Sequence, residues 1–278
     1  MSRFWSILFF AVPLLAIGVY LAAAFGAGPF AGAWMPESYS EAGDTIDHLF
    51  NFIHLICAGI LLITGLAIGW ILWKNSNAGS DKPALFVHHN TRLELFWSII
   101  PAFILIFIAF YQMESWAENK MNRPQIEVGG ESVDKPPMVL VRAKQFGWEF
   151  HYAGEDGLVQ TADDVYVENI LVVPVGEDVV LQLESRDVIH SFFVSELRLK
   201  QDIIPGMVQF AWFHANKTGE LEIACTELCG WGHYKMKGLM RIVPREEYDM
   251  WIEQQTLAYQ APMAVANETE EENGGGTP

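Results

Sequence analysis

The stretch IACTELCGWGHYKMKG, residues 223–238, carries two cysteines, a histidine and a methionine close together. Cys225 and Cys229 are separated by three residues. His233 follows four residues after Cys229, and Met236 three residues after that. The 278-residue chain has only three cysteines, so two of them on one short loop need an explanation. They either form a disulfide or bind a metal.

The donor types favour a metal, and among metals they favour copper. Thiolate, thioether and imidazole together are the donors of electron-transfer copper sites, and His190 in the upstream stretch DVIHSFF offers a second imidazole. Two cysteines on one tight loop can both bridge two ions, which leaves one histidine for each ion. A disulfide is plausible on an oxidising side of a membrane, but it would not explain His233 and Met236. Structural zinc sites use cysteine and histidine rather than methionine.

The composition divides the chain into an apolar first part and an acidic second part. The protein is 51% hydrophobic and yet carries a net charge of −17. The first 113 residues hold six acidic and four basic residues, whereas the chain from residue 115 holds 27 and 13. Three apolar runs fill the first part, at 4–25, 52–73 and 96–113, and each has the roughly 17–25 residues that a membrane span needs.

The three runs do not all predict the same kind of segment. The second and third predict a two-helix transmembrane hairpin over 45–115. The first follows Arg3 and precedes a stretch of small residues, so 1–33 is interpreted as a signal peptide or as an extra transmembrane helix. The loop 74–95 between the second and third runs carries three basic residues and is expected to be cytoplasmic. The chain after residue 115 is then expected on the outer face.

The sequence after residue 115 predicts a linker followed by a β-sandwich. Residues 116–137 are polar and contain Gly129-Gly130, which favours a linker. Over 138–245, short runs rich in valine, isoleucine and aromatic residues alternate apolar with polar positions, as half-buried strands do. Seven or eight such strands predict a sandwich. Residues 246–278 are predicted to form a short helix and an acidic, disordered tail.

Two stretches of the sequence resemble a known family. The stretches DVIHSFFVSELRLKQDIIPG (187–206) and CTELCGWGHYKM (225–236) resemble subunit II of the haem–copper cytochrome c oxidases, the subunit that contains the copper centre CuA. The resemblance covers roughly 45–245. It implies a membrane hairpin followed by an all-β, cupredoxin-like Greek-key sandwich that holds two copper ions.

The resemblance also implies a role for each donor on the copper loop. His190 and His233 resemble the terminal imidazole ligands, and Cys225 and Cys229 resemble the bridging thiolates. Met236 resembles the weak ligand of one copper ion.

Two glutamates are carried over from the family in the same way. Glu227 resembles the residue that binds copper through its backbone carbonyl and whose carboxylate reaches a magnesium site shared with subunit I. Glu94, at the cytoplasmic start of the third run, falls where the family has a glutamate at the mouth of a proton path. The alternative for each is a solvated surface glutamate.

The residue that receives the electron is less clearly indicated. The family often has Q-W-x-W where this chain has QFGW, and its first tryptophan is the electron entry. Phe146 stands at that place here and Trp148 at the second place. Trp231, inside the copper loop, is a third candidate. The acidic charge of the outer part either steers a basic donor or serves solubility.

The resemblance implies subunit II of a respiratory cytochrome c oxidase in the plasma (inner) membrane. The chain would accept single electrons from cytochrome c or another small redox protein. It would pass them to haem in subunit I, where O2 is reduced to water and protons are pumped. Its partners would be subunit I, other oxidase subunits and the lipid bilayer, with no nucleic acid. The sequence has no C-x-x-C-H motif, so no covalent haem c is expected. A quinol oxidase subunit without copper and a membrane-anchored copper-binding or copper-delivery protein are the alternatives.

Overall fold

The computed structural model describes residues 2–76 and 86–274, so Lys82 of the predicted cytoplasmic loop and the tail after 274 lie outside the described residues. The chain divides into two compact units. One comprises Met1–Glu37 and Ile46–Glu114, and the other comprises Ser38–Thr45 and Ser115–Pro278.

The first unit is built from three apolar helices. They are α1 (Ser2–Ala24), α2 (Glu41–Asn75) and α3 (Thr91–Tyr111). All three are long and apolar enough to cross a membrane, because about 20 residues of helix span the hydrocarbon core. Helices α2 and α3 coincide with the two predicted spans of the hairpin.

Helix α1 packs on α2 through small residues. Two glycines of α2, Gly65 and Gly69, stand four residues apart and so face the same side of the helix. A side chain on Gly65 would overlap the ring of Pro13, and a Cβ on Gly69 would lie 2.9 Å from the ring of Phe10. The buried hydroxyl of Ser6 donates a 2.7 Å hydrogen bond to the carbonyl of Gly69. Close contact of this kind is how helices associate where no hydrophobic driving force exists.

The segment that was predicted as a linker contains regular structure. Helix α4 covers Met113–Lys120, and the strands β1 (Gln125–Val128) and β2 (Glu131–Asp134) form an antiparallel hairpin. Gly129 and Gly130 make its two-residue turn, and both adopt positive φ, which glycine does without steric cost. The linker is therefore a hairpin whose residues remain exposed.

The predicted sandwich is confirmed, and it consists of two five-stranded sheets. The first sheet has the order β10-β7-β3-β4-β5, and the second has the order β6-β12-β11-β8-β9. The strands are β3 (Val139–Lys144), β4 (Gly147–Tyr152), β5 (Val165–Glu168), β6 (Ile170–Pro174), β7 (Asp178–Ser185), β8 (His190–Val194), β9 (Leu199–Ile203), β10 (Gln209–His214), β11 (Gly219–Cys225) and β12 (Lys237–Val243). Their inward side chains form one continuous core.

Two features give the sandwich more strands than the sequence suggests. The run 165–173 is broken at Asn169, whose φ of 58° lets the chain leave the first sheet as β5 and enter the second as β6. Asn169 Oδ1 also accepts the backbone N–H of Trp148 at 2.9 Å. The stretch after the histidine motif forms β8 and β9, which pair with each other.

The C-terminal helix is longer than the short helix that was predicted. Helix α5 runs over Arg245–Gly274 and so includes much of the acidic segment expected to be disordered. Alanine and glutamate, both strong helix formers, are the commonest residues of its second half, which also contains Pro262. Near its start, Tyr248 is 8% exposed and Trp251 stacks edge-on against the core residue Tyr152.

The segment Ser38–Thr45, which includes the first residues of α2, belongs to the second unit, which we call the outer unit. Ser40 forms an isolated antiparallel bridge with Ala215, and its hydroxyl donates to the carbonyl of Leu197, 157 positions away. The backbone N–H of Tyr39 donates to the carbonyl of Glu196. The ring of Tyr39 lies against Gly219, where a Cβ would come within 2.8 Å. We call Ser38–Thr45 the strap, since it crosses the edge of the sandwich.

Candidate metal centre

The six predicted ligands come from two strands of the second sheet and from one loop. His190 is the first residue of β8, and Cys225 is the last residue of β11. The neighbouring loop 226–236 carries the other donors. Its ends are tied to the sheet, because Thr226 N–H donates to the carbonyl of Ser191 and Cys225 N–H donates to the carbonyl of Met236.

The structure brings the donor atoms of all six residues together. The Sγ atoms of Cys225 and Cys229 are 3.9 Å apart. His190 Nδ1 lies 3.9 Å from Cys225 Sγ, and the backbone oxygen of Glu227 lies 3.2 Å from the same sulfur. On the other side, His233 Nδ1 and Met236 Sδ lie 3.6 Å and 3.7 Å from Cys229 Sγ. The two sulfurs therefore stand at the middle of the cluster, with two further donors beside each of them.

The cysteine pair is reduced rather than bonded. A disulfide needs sulfurs about 2.05 Å apart, and the observed separation is 3.9 Å. Cys225 and Cys229 are 8% and 3% exposed, while His190 and Met236 are almost completely buried. This buried group of His190 and two reduced cysteines could hold a metal ion.

The ring of His190 is oriented by a carboxylate. Its Nε2–H donates to Asp187 Oδ1 at 2.8 Å, which leaves the Nδ1 lone pair directed toward the sulfurs. Metal-binding histidines usually donate their second ring nitrogen to such a partner, which fixes tautomer and orientation. The pKa of Asp187 is lowered, because the hydrogen bonds from His190 and from two backbone N–H groups outweigh the opposing effect of burial.

The two thiols do not ionise alike without a cation. Burial raises the pKa of Cys225, but without a metal a proton on His190 Nδ1 and backbone N–H groups donate hydrogen bonds to this thiolate, which outweigh burial and bring the pKa to about 6. Burial and the adjacent negative charge of Cys225 raise the pKa of Cys229 to about 12. Two thiolates at this distance need a bound positive charge, and one or two copper ions would supply it. The residues present thus fit a thiolate-bridged copper group.

The three candidate electron-entry residues occupy different environments. Trp148 is completely buried and packs edge-on against the rings of His190 and Phe192, so an external protein cannot touch it. Trp231 is 76% exposed, and its ring meets the half-buried ring of Phe146 at a centroid distance of 5.3 Å. The Phe146–Trp231 pair is therefore the candidate that an external electron donor could contact.

The two predicted glutamate sites remain predictions. Glu227 is an exposed residue of the loop. In the first unit, Glu94 Oε1 accepts the backbone N–H of Asn90, and Asn90 Oδ1 accepts the N–H of Leu93. Asn90 and Glu94 therefore cap the start of α3, a role that the sequence reasoning did not assign to Glu94.

The sequence reasoning also missed Gln145. Its side chain reaches the loop, since Nε2 donates to the carbonyl of Cys229 at 2.5 Å. No local pattern marks this contact, because the two residues are 84 positions apart. The signal that could have found it is its place directly before Phe146, in the hairpin turn that faces the loop.

Comparison with known proteins gives two family matches and several relatives. Residues 29–114 match the transmembrane domain of cytochrome c oxidase subunit II, and residues 144–243 match its periplasmic domain. Cytochrome c oxidase subunit 2 of Thermostichus vulcanus is 31% identical over 273 residues, which cover 82% of this chain and 80% of the relative. The corresponding protein of Alkalihalophilus pseudofirmus is 32% identical over 76% of this chain and 58% of its own length.

Among solved structures, the periplasmic domain of subunit II of cytochrome oxidase from Bradyrhizobium japonicum is 29% identical. The match covers 44% of this chain and 96% of that domain, with a TM-score of 0.39. The two matched domains follow the same order along the chain as the apolar helices and the β-sandwich. The chain belongs to the family of cytochrome c oxidase subunit II, a component of haem–copper terminal oxidases with membrane helices and an extracytoplasmic, cupredoxin-like domain.

Proposed function

We propose that this subunit is the electron-entry subunit of its oxidase and that it holds a dinuclear CuA centre. The observation that carries the proposal is the group of donor atoms around the 3.9 Å pair of sulfurs. It supports Cys225 and Cys229 as bridging ligands and His190 and His233 as terminal ligands. Met236 Sδ and the carbonyl of Glu227 complete the set.

When bound, a two-copper group of this type shares one unpaired electron over both ions, so little rearrangement accompanies electron transfer. The residues of the chain prepare the site for that task. Asp187 holds the His190 ring in one orientation, and the ties at both ends of loop 226–236 fix the two sulfurs before any metal arrives. Burial of the sulfurs excludes water and external oxidants.

We infer that the electron enters at the Phe146–Trp231 pair. Trp231 is the exposed member, and the ammonium group of Lys235 lies 4.5 Å from the centre of its ring. Leu228 and Tyr234, 77% and 74% exposed, extend the apolar surface of the loop. Such a surface suits a redox protein that docks through a small apolar contact. The acidic excess beyond residue 115 favours a basic donor such as a cytochrome c.

The finer assignments are proposals that the family supports. We propose that the electron passes to haem in subunit I, and that the plasma membrane carries the complex with the copper domain on the outer face. The exposed carboxylate of Glu227 is proposed for a magnesium site shared with subunit I. Glu94 is proposed for the mouth of the proton path on family grounds alone, since its observed hydrogen bond caps α3.

We also propose that α1 stays in the mature chain as a third span. The support is its fit to the Gly65–Gly69 face of α2 and the buried hydrogen bond of Ser6. A leader that is removed after export has no need of such a fit.

The test of the copper assignment uses the full chain purified in detergent with its partner subunits. Copper content and the electron paramagnetic resonance (EPR) spectrum would be measured together. A spectrum in which one electron is shared equally by two copper ions is expected. A mononuclear spectrum, or a purified chain without a haem-bearing partner, would favour the copper-delivery alternative.

A further inference from the structure

A chain of hydrogen bonds joins the two loops that carry the proposed ligands. Gln145 Nε2–H donates to the carbonyl of Cys229 at 2.5 Å, and the backbone N–H of Gln145 donates to Asp187 Oδ2 at 2.7 Å. The other oxygen of Asp187 accepts the Nε2–H of His190 at 2.8 Å. The link from Cys229 to His190 therefore runs through two residues, Gln145 and Asp187.

The position of Gln145 explains why this link matters. His190 and Cys229 both belong to the second sheet and its loop, whereas Gln145 lies in the turn between β3 and β4 of the first sheet. The hydrogen bonds of Thr226 and Cys225 hold the ends of loop 226–236. Cys229 lies between these two ends, and its carbonyl accepts a hydrogen bond from the side chain of Gln145.

The loop sequence is adapted to receive this turn. A Cβ on Gly230 would come within 2.8 Å of Gln145 Nε2, and a Cβ on Gly232 would come within 2.5 Å of the Phe146 ring. Gly230 also has a φ of 140°, in a region that other residues rarely adopt. Glycine at both positions allows Gln145 and Phe146 to press directly on the loop backbone.

We propose that Gln145 is a positioning residue of the copper centre. It fixes Cys229 Sγ relative to His190 Nδ1 by binding the backbone of one ligand and the orienting carboxylate of the other. The proposal rests on the copper centre proposed above. Groups outside the ligand set commonly change metal affinity by about 10–100-fold when they are removed, and they tune the potential through the geometry of the ligands they hold.

The test compares Gln145→Met with the wild type in the full chain. Methionine keeps the length of the side chain and the backbone N–H to Asp187, but it loses the Nε2–H donor. We expect copper to be lost to a chelator at about tenfold lower chelator concentration, together with a shifted midpoint potential and altered copper hyperfine splitting. Gln145→Asn tests the reach of the side chain: its shorter amide keeps the chemistry but misses the carbonyl of Cys229, so it should resemble methionine.

Gln182→Met is the matched control. Gln182 lies on β7 in the same sheet, and its amide binds Glu184 rather than the loop, so the control should keep wild-type copper properties. Wild-type affinity, potential and hyperfine splitting in Gln145→Met would overturn the proposal.

A metal-free readout separates this proposal from the copper assignment. Amide hydrogen exchange in 226–236 of the copper-free chain should be about tenfold faster in Gln145→Met than in the wild type or in Gln182→Met, since loop opening governs exchange. A wild type that binds no copper would defeat the copper assignment and the positioning role with it. Unchanged exchange in Gln145→Met would show that Gln145 does not hold the loop.

Discussion

The ring of Trp231 stands edge-on to the ring of Phe146, with an interplanar angle of 66° and 5.3 Å between the ring centres. This pair joins an exposed part of the copper loop to the turn that packs against the loop glycines. An aromatic contact with solvent is thereby kept although phenylalanine replaces the tryptophan that the family often has at position 146. In the proposed electron entry, two residues from the loops of different sheets take the place of one residue.

Replacing Trp231 should therefore slow electron entry. In Trp231→Ala, kcat/KM for electron transfer from a reduced cytochrome c to the intact oxidase should fall about tenfold, because both the apolar contact and the outer ring are lost. Stopped-flow reduction of the copper centre at a series of cytochrome c concentrations would measure this rate. Tyr234→Ala, an equally exposed neighbour, should change the rate much less. Equal losses in the two variants would assign the surface to docking alone.

Cysteine replacement should separate the copper pair from the third cysteine. Cys229→Ser offers a hard hydroxyl in place of a soft thiolate, so the EPR signal of an electron shared by two ions should disappear. Cys57→Ser, in the membrane helix α2, should retain it. Retention of the shared-electron signal in Cys229→Ser would contradict the bridging role. Copper analysis and EPR of the purified complex provide the measurement.

The contact between α1 and α2 predicts a position-specific loss of stability. Gly65→Leu should destabilise the helical unit by about 1–3 kcal/mol, since a larger side chain overpacks the contact with Pro13. Gly59→Leu in the same helix should be tolerated, because a Cβ there meets nothing within 4 Å. Thermal unfolding in detergent would compare them. Intact mass of the purified subunit would show whether α1 is present, and a chain that begins after residue 24 would refute the third span.

The outer unit should lose stability at high pH. Burial raises the pKa of Tyr248 to about 12 from an ordinary value of 10.0. Between these values the unfolded tyrosine releases its proton while the folded one keeps it, so the free energy of unfolding falls as pH rises, by about 2–3 kcal/mol at pH 12. Tyr248→Phe should flatten this part of the pH profile.

The control for this experiment is Tyr234→Phe, which removes an exposed hydroxyl from the same unit. Its profile of unfolding free energy against pH, measured by denaturant titration, should follow the wild type. If Tyr248→Phe also followed the wild type, the alkaline loss would arise elsewhere, with the fully buried Tyr152 as the next group to replace.

The sequence allowed the copper loop and the membrane hairpin to be predicted because their signals are local. Donor spacing within 225–236 and the length of the apolar runs each depend on a few neighbouring residues. The same reasoning failed at Asn169, where one residue with positive φ moves the chain between sheets without interrupting its apolar pattern. It also failed at Gln145 and at the strap, since both make contacts across long distances in sequence and neither has a periodic pattern.

The electron-entry candidates show the same limit. From the sequence, Trp148 and Trp231 were both candidates for electron entry beside Phe146. Alternation along β4 places Trp148 with Phe150 and Tyr152 on the inward face, where it is completely buried. Only the fold separates the tryptophan that packs the core from the one that meets solvent.

The strap has a consequence for the order in which the protein is made. Ser40 and its partner Leu197 are 157 positions apart, and both spans of the hairpin are synthesised between them. The outer unit therefore cannot close on the strap until the ribosome has made the whole hairpin and most of the sandwich. A fragment that begins after the membrane helices lacks this edge of its own domain and must leave Ala215 and Gly219 uncovered.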